Sequence, residues 1–493
     1  MQGTIWTLLP PLITIILAIL TKEVYISLFS GIFVSALIFC NFNMIPNETS
    51  PDAINVMFDI MTTSVNMQIT IFLILLGTIV VLVNKSGGTN AFENFINNKI
   101  KTKRNALIST QIFAISLFID DYFSCLTSGN VMKSITDKNK VSRSKLTYII
   151  HSTVVPICML MPISSWAAAI SSSLSESGAP NGLQFFIKVI PYNLYCILAL
   201  IMVFTTSAFN INYSTMLKHE KNAENGNLFS DSGDKIKNTQ KNTNKKTNGK
   251  IIDLIIPISA LIVFCIIGII LDKKFKTDNG LLFGALMSLI TAFILYIPRK
   301  IITFKEFLNS FTEGFKEMAS AIIILTLAWS FSKITTDKDY LFIGGFISNV
   351  IKNISGLTLF IPAILFIVSI LLSVSTGTSW GTFTMLIPIT FSMFPLNNQL
   401  LLVSVAAVLA GSACGDNVSP ISDTTIMSCT GTNCTIENHM ATQLPYAALV
   451  ASISAVGFLV AGIVQNPYIP LIFSIALLLI VLTSIKIYHK KEV

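Results

Sequence analysis

The run Gly411-Ser412-Ala413-Cys414-Gly415-Asp416-Asn417-Val418-Ser419-Pro420-Ile421-Ser422-Asp423-Thr424-Thr425 decides how this chain is read. It lies in an apolar stretch, 400–428, long enough to cross a bilayer, yet it carries two carboxylates, a proline and two glycines. Proline removes a backbone donor and clashes with the turn before it, so the chain is expected to unwind through this run. A carboxylate deep in a span costs about 2.5–3.5 kcal/mol on insertion scales, so Asp416 and Asp423 default to a functional role. A membrane helix broken around acids and hydroxyls is the signature of a transporter midplane.

Working outward, the chain has 493 residues, 52% of them hydrophobic and 12% charged, against about 25% charged in an ordinary soluble domain. A water-soluble protein is excluded. The net charge is +8, and Asn210–Lys250 alone holds 8 Lys against 4 acids, so the basicity reads as membrane topology and not as nucleic-acid binding. The 8 Cys lie mostly in apolar stretches and read as small hydrophobes, with no disulfide framework. Cys429 and Cys434 with His439 nearby form one loose pair, short of a zinc site, and no cofactor is expected. The N-terminal Met1-Gln2-Gly3-Thr4-Ile5-Trp6 lacks a basic n-region, so the run to Leu20 is expected to remain as a first span.

Hydropathy places spans near 4–20, 24–40, 68–84, 146–171 and 185–207, then a Lys/Asn-rich loop at 210–250, then 251–271, 280–297, 319–335, 400–428, 445–465 and 468–487. Two further apolar stretches, about 105–132 and 357–395, have polar centres: Asp120-Asp121 and Thr376-Gly377-Thr378-Ser379. Both flanks of the first are basic (Lys99, Lys101, Lys103, Arg104; Lys133, Lys138, Lys140, Arg143, Lys145), which a hairpin dipping in from the cytoplasm satisfies and a crossing does not. The second has nearly uncharged flanks and is expected to enter from outside. Counting crossings puts the N-terminus outside, the 210–250 loop and the C-terminus in the cytoplasm, and leaves Lys273, Lys274 and Lys276 on the wrong side. The loop itself reads as a disordered tether.

A repeat at an offset of 251 to 258 residues supports this division. Gly31 with Ser35 recurs as Gly284 with Ser288, Asn94–Asn98 as Gly345–Asn349, Pro162-Ile163-Ser164 as Pro420-Ile421-Ser422, and Pro191-Tyr192 as Pro445-Tyr446. The expected fold is all-α and polytopic: two inverted repeats (1–209 and 251–466), each of five transmembrane helices and one re-entrant hairpin, joined by the 210–250 linker and followed by a C-terminal helix and basic tail (467–493), about 11 spans in all.

Four carboxylates therefore stand out: Asp120, Asp121, Asp416 and Asp423. By the repeat, Asp416 and Asp423 align with the neutral Cys158 and Ser165. Ser164, Ser165, Thr378, Ser379, Asn417, Ser422, Thr424 and Thr425 add oxygen ligands around them, and a ring of acids and hydroxyls without Lys or Arg suits Na⁺. Burial and like-charge crowding raise such an acid toward neutrality, so H⁺ and Na⁺ compete for one site, and competition yields antiport if only loaded states change access. Asp423 reads equally as the N-cap of the half-helix after Pro420, and Asp120-Asp121 as a solvated turn. Trp166 and Trp380 read as packing, Asp137 as a surface charge, Lys22-Glu23 as a cytoplasmic turn and His151 as a satisfied histidine near the cytoplasmic end of its span.

The motifs also resemble a known family. Gly377-Thr378-Ser379-Trp380-Gly381-Thr382 and Gly415–Thr425, with Asp120-Asp121-Tyr122-Phe123, Ile135-Thr136-Asp137-Lys138 and Pro162-Ile163-Ser164-Ser165-Trp166, are similar to signatures of the NhaC family of Na⁺/H⁺ antiporters; Cys414 stands where Phe is expected in many members. The resemblance implies a multi-pass protein of the bacterial inner membrane, in the wider ion-transporter superfamily, with a homodimeric scaffold and elevator motion. It leaves the substrate open: Na⁺ and H⁺, or an organic acid or amino acid coupled to them, with the solute then held by Ser164-Ser165, Thr378-Ser379 and Asn417. An intramembrane enzyme is disfavoured, since no His-Glu-x-x-His motif or catalytic pairing occurs, and a channel fits broken inverted repeats less well than alternating access does.

Overall fold

The computed structural model describes residues 4–21, 23–44, 52–89, 91–92, 100–228, 249–271, 277–343, 346 and 357–491. Those residues form helices α1 (Leu9–Thr21), α2 (Val24–Phe39), α3 (Ala53–Thr63), α4 (Met67–Ser86), α5 (Lys103–Ser116), α6 (Asp121–Lys138), α7 (Arg143–Leu160), α8 (Ser165–Glu176), α9 (Gly182–Val189) and α10 (Leu194–Ala208). They continue with α11 (Thr215–Glu224), α12 (Ile252–Leu271), α13 (Thr277–Tyr296), α14 (Phe304–Thr336), α15 (Ile361–Thr376), α16 (Ser379–Met393), α17 (Gln399–Val418), α18 (Asp423–Thr432), α19 (Ile436–Val464) and α20 (Tyr468–Lys491). No strand occurs among them.

Among the described residues, six helices are long and apolar enough to cross a bilayer: α4, α14, α15 with the 3-10 turn before it, α17, α19 and α20. The pair α7 and α8, bent by 44°, and the pair α9 and α10, bent by 53°, raise this to eight if each is one span. The sequence count of eleven differs because α1, α2, α12 and α13 are apolar but shorter than a full span over their described residues. The two hairpin stretches are also unequal. The first is two helices, α5 and α6, interrupted at 117–120; in the second, α15 reaches spanning length with its 3-10 turn (Thr358–Thr376) before the break at 377–378.

The spans are graded from centre to rim. For α17, 89% of the apolar window is buried, against 22% for α20, so α17 is the hub and α20 presents Ile472, Phe473 and Ile480 outward. α17 packs against α15, α16, α19 and α10, while α4 and α2 both pack on α14, with α13 against α4. Gly411 and Gly415 do not unwind α17. A Cβ on Gly411 would meet the Phe366 carbonyl oxygen, and one on Gly415 that of Ile370, so both glycines serve the close approach of α15, and the unwinding is confined to 419–422. Pro156 likewise sits inside the continuous α7, and the chain breaks at 161–164, around Pro162.

The linker needs a larger correction. Its front half is not a tether. Met216, His219, Glu220 and Ala223 recur at helical spacing and are buried, docking α11 onto α7 and α19. Glu220 accepts from the Ser142 backbone N–H at 2.9 Å and pairs with Lys103 at 2.8 Å; Thr215 Oγ1 donates to the Ala441 carbonyl. Burial acts to lower the Lys103 ammonium, but the Glu220 and Glu224 carboxylates outweigh it and hold its pKa above the usual value. Residues 229–248, the repeat segment Asn94–Asn98, most of its counterpart Gly345–Asn349, Lys22, Lys99 and Lys273, Lys274 and Lys276 lie outside the described residues.

Candidate ion site at four helix breaks

Each of the four half-helices α6, α8, α16 and α18 begins at a break, and its first turn leaves backbone N–H groups to be satisfied. Three are capped by their own N-cap side chains: Asp120 Oδ1 accepts from Phe123 N at 2.9 Å, Ser164 Oγ from Ala167 N at 3.0 Å and Thr378 Oγ1 from Gly381 N at 3.4 Å. Ser422 is the exception. It makes no cap bond and instead donates its hydroxyl to Asp416 Oδ1 at 2.6 Å, while Thr424 donates to Asp416 Oδ2.

The breaks meet in space. Ser165 N donates to the Ile119 carbonyl at 2.9 Å, joining the start of α8 to the first hairpin's break. Gly377, at φ +68°, seats the second hairpin's tip against the Ile421 carbonyl, where a Cβ would be 2.8 Å from that oxygen. Gly129 and Gly431 let α6 and α18 touch backbone to backbone. Ser379 and Ser373 both donate to the Ser412 carbonyl, Ser419 to that of Val374, and Thr425 to that of Ser419.

Asp120, Asp121 and Asp416 are buried, and Asp121 lies within electrostatic reach of both others. Asp120 Oδ2, Asp121 Oδ1 and Asn417 Oδ1 are buried without a well-formed hydrogen bond, the Ser165 hydroxyl facing Asp120 and the Trp166 indole N–H facing Asp121. Buried polar atoms are normally satisfied, so this cluster is built to receive something. Among the described residues no three His, Cys, Asp or Glu side chains converge at metal-ligand distance. An ion bound here would have to take further ligands from hydroxyls and freed carbonyls. Asp423 is the first residue of α18, not its cap; it lies on the exposed side, within electrostatic reach of Asp416, and accepts from the Tyr122 hydroxyl at 3.1 Å.

Several residues of this network were not singled out for it by sequence. His151 is fully buried; Nε2 lies 3.0 Å from Thr424 Oγ1 and 3.7 Å from Asp416 Oδ2, and Nδ1 lies 3.0 Å from His439 Nε2 and from Gln443 Nε2. Gln443 also donates to the Asn417 carbonyl, and Asn417 Nδ2 donates to the Tyr195 hydroxyl at 3.1 Å. The only available signal was His439 and Gln443 four apart on one helical face. Arg143 and Lys145 are buried rather than exposed flanks: Arg143 pairs with Asp137 at 2.6 Å, and the Lys145 ammonium lies over the Tyr148 and Tyr446 rings at 5.1 and 5.3 Å. Asp137 is thus an ion-paired, partly buried carboxylate, not a surface charge.

The pattern that defines the Na⁺/H⁺ antiporter family matches residues 157–463, more than half of the chain. A protein of Haemophilus influenzae described as uncharacterized is 33% identical, with 94% of this chain and 91% of that one covered. Among solved structures, the Alcanivorax borkumensis YdaH transporter superposes with a TM-score of 0.54 at 10% identity, over 90% of this chain and 98% of that one, and so shares the fold. Neisseria gonorrhoeae MtrF, described with a class of antimetabolite efflux pumps, gives 0.44 at 12% identity over 89% and 94%. The chain is a multi-pass membrane transporter and not an enzyme.

Proposed function

We propose, from the premise that the chain belongs to the Na⁺/H⁺ antiporter family, that this secondary transporter exchanges Na⁺ for H⁺ by alternating access at the meeting point of the four breaks. The observation that carries the reading is the buried trio Asp120, Asp121 and Asp416, two of whose oxygens lack a well-formed hydrogen bond. Among the described residues no Lys or Arg forms an ion pair with any of the three. Na⁺ binds these carboxylates together with the hydroxyls of Ser422, Thr424, Thr425, Ser165, Thr378 and Ser379 and the Asn417 amide oxygen, with Asp423 at the edge of the same site and Ser164 shaping it as a cap. H⁺ competes for the same oxygens, so the loaded site carries one or the other. With this exchange we propose NhaC-type membership, inverted repeats, hairpins entering from opposite sides, an outside N-terminus and cytoplasmic C-terminus in a bacterial inner membrane, and a homodimer.

A second reading rests on a different observation. Trp380 Nε1 is a buried N–H donor without a partner, whereas Trp166 Nε1 faces Asp121. An indole N–H cannot ligate a cation but can hold an acceptor, so a small organic acid or amino acid coupled to Na⁺ or H⁺ fits that corner. Reconstitution in liposomes with a pH probe separates the two. Na⁺ alone should drive proton movement; movement that appears only when an organic acid or amino acid is added with Na⁺ would replace exchange with solute coupling.

A further inference from the structure

Behind Asp416 stands a chain of hydrogen bonds that begins on α19. The Gln443 side chain reaches two groups with one nitrogen: it donates to the Asn417 carbonyl and lies 3.0 Å from His151 Nδ1. A carbonyl only accepts, so it assigns the amide, with the nitrogen facing Asn417 and His151 and with Oε1, buried and without a partner, turned elsewhere. The second hydrogen on that nitrogen is left for His151. Its Nδ1 therefore accepts.

His439, one turn before Gln443 on the same face of α19, reaches the same atom. Its Nε2 lies 3.0 Å from His151 Nδ1, and its own Nδ1 is buried without a partner. With the proton on Nδ1, His439 would bury a donor that has no acceptor and would set two lone pairs against each other; with the proton on Nε2 it is a second donor to the His151 ring. Both neighbours thus leave His151 a single proton, on Nε2. That nitrogen lies 3.0 Å from Thr424 Oγ1, and the Thr424 hydroxyl donates to Asp416 Oδ2. The bonds run in one direction, from α19 through α7 and α18 to the carboxylate on α17.

We infer that His151 is a positioning residue of the ion site, acting through Thr424, and that Gln443 and His439 select the tautomer in which it does so. A ring with its proton on Nε2 fills one lone pair of Thr424 Oγ1 and commits the hydroxyl hydrogen to Asp416, which leaves the other lone pair of that oxygen for Na⁺. A ring with its proton on Nδ1 would draw the Thr424 hydrogen onto Nε2, and Asp416 Oδ2 would lose its donor. His151 and Thr424 are both buried, so bulk water does not replace a donor lost there. The ring stays neutral and touches no ion. Its role rests on the exchange reading for the identity of the ion and on the hydrogen-bond directions for everything else.

Two amides separate the ring nitrogens: glutamine sets its nitrogen where Nε2 stands, asparagine where Nδ1 stands. In proteoliposomes His151→Asn should raise the Na⁺ concentration for half-maximal proton movement about tenfold with the maximal rate within about threefold of the parent, and His151→Gln should bring that concentration back to within about threefold, the scale of one hydrogen bond lost and regained. A ring that only filled space would give no such difference between the amides. The tautomer itself is read by nitrogen NMR of the full-length protein in lipid, isotope-labelled at histidine, the His151 signal being the one that His151→Gln removes. The parent should carry the proton on Nε2, and Gln443→Glu, which turns the donor into an acceptor, should move it to Nδ1. Equal Na⁺ affinities for His151→Asn and His151→Gln, a proton on Nδ1 in the parent, or a ring indifferent to Gln443→Glu would each overturn the inference. Should the parent move no protons under Na⁺ at all, the exchange reading fails, and the two tautomer measurements still decide the direction of the chain.

Discussion

Two broken helices of this protein repeat one geometry with different chemistry. In the first, Ser164 stands six residues after Cys158, caps α8 through Ala167 N and donates to the Cys158 backbone carbonyl at 2.7 Å. In the second, Ser422 stands six residues after Asp416, leaves α18 uncapped and donates to the Asp416 side chain at 2.6 Å. The thiol at Cys158 is spent on the Phe118 carbonyl. One break has turned its polar groups inward to finish a helix; the other has turned them toward a carboxylate. The difference teaches that the second break holds the charge and the first holds the shape.

The largest test of that contrast is charge removal. Asp416→Asn and Asp121→Asn should each lower Na⁺-driven proton movement in proteoliposomes at least about a hundredfold, the scale of an uncompensated loss of 2–5 kcal/mol. Transport within a few-fold of the parent in either would mean that the charge lies elsewhere. Moving the acid across the repeat sharpens the point. Asp416→Cys with Cys158→Asp should not recover transport, because Ser164 is committed to its cap and to the Cys158 carbonyl and does not donate to a side chain at 158. Recovery would show that the two breaks are interchangeable.

The paired serines give the next effect. Ser422→Ala removes a hydrogen bond to an ionised group, a class worth about 1.5–3 kcal/mol, and should weaken apparent Na⁺ affinity about tenfold with little change in thermal stability in detergent. Ser164→Ala removes a cap worth about 1 kcal/mol and should do the reverse, lowering stability while leaving affinity within about twofold. Equal profiles for the two variants would erase the distinction.

What the sequence made legible follows the same division. Pro162, Pro420, Thr378 and Asp120 announce their breaks because breakers and caps act within a turn of chain. Gly411 and Gly415 misled, since a glycine reads as a weak point until the neighbouring α15 backbone explains it. The network of His151, Gln443, Asn417 and Tyr195 was hidden for another reason. Its partners are 222 to 292 residues apart wherever it crosses the two halves, and only packing brings them together. Asp423 looked equivalent to Asp416 because both interrupt an apolar run. The side of α18 on which it emerges, against Tyr122, is a tertiary fact. In the linker, averaging composition over Asn210–Lys250 hid four buried positions of a single docked helix.

That docked helix supplies the smallest expected effect and a control for the others. Glu220 is the point where α11 grips the N-terminal ends of α5 and α7, through Lys103 and the Ser142 N–H. Glu220→Gln keeps an acceptor for Ser142 but loses the charge, and breaking a largely buried pair exposes its partner's cost. The variant should melt earlier in detergent and shed protection of the linker against protease, while Na⁺ affinity stays within about twofold of the parent. The reason is spatial: no residue of α11 contacts the trio of carboxylates among the described hydrogen bonds, so loosening it perturbs how the helices are held and not what they hold. If Glu220→Gln instead shifted Na⁺ affinity as much as Ser422→Ala does, shape and charge would not be separable, and the contrast between the two breaks would lose its physical basis.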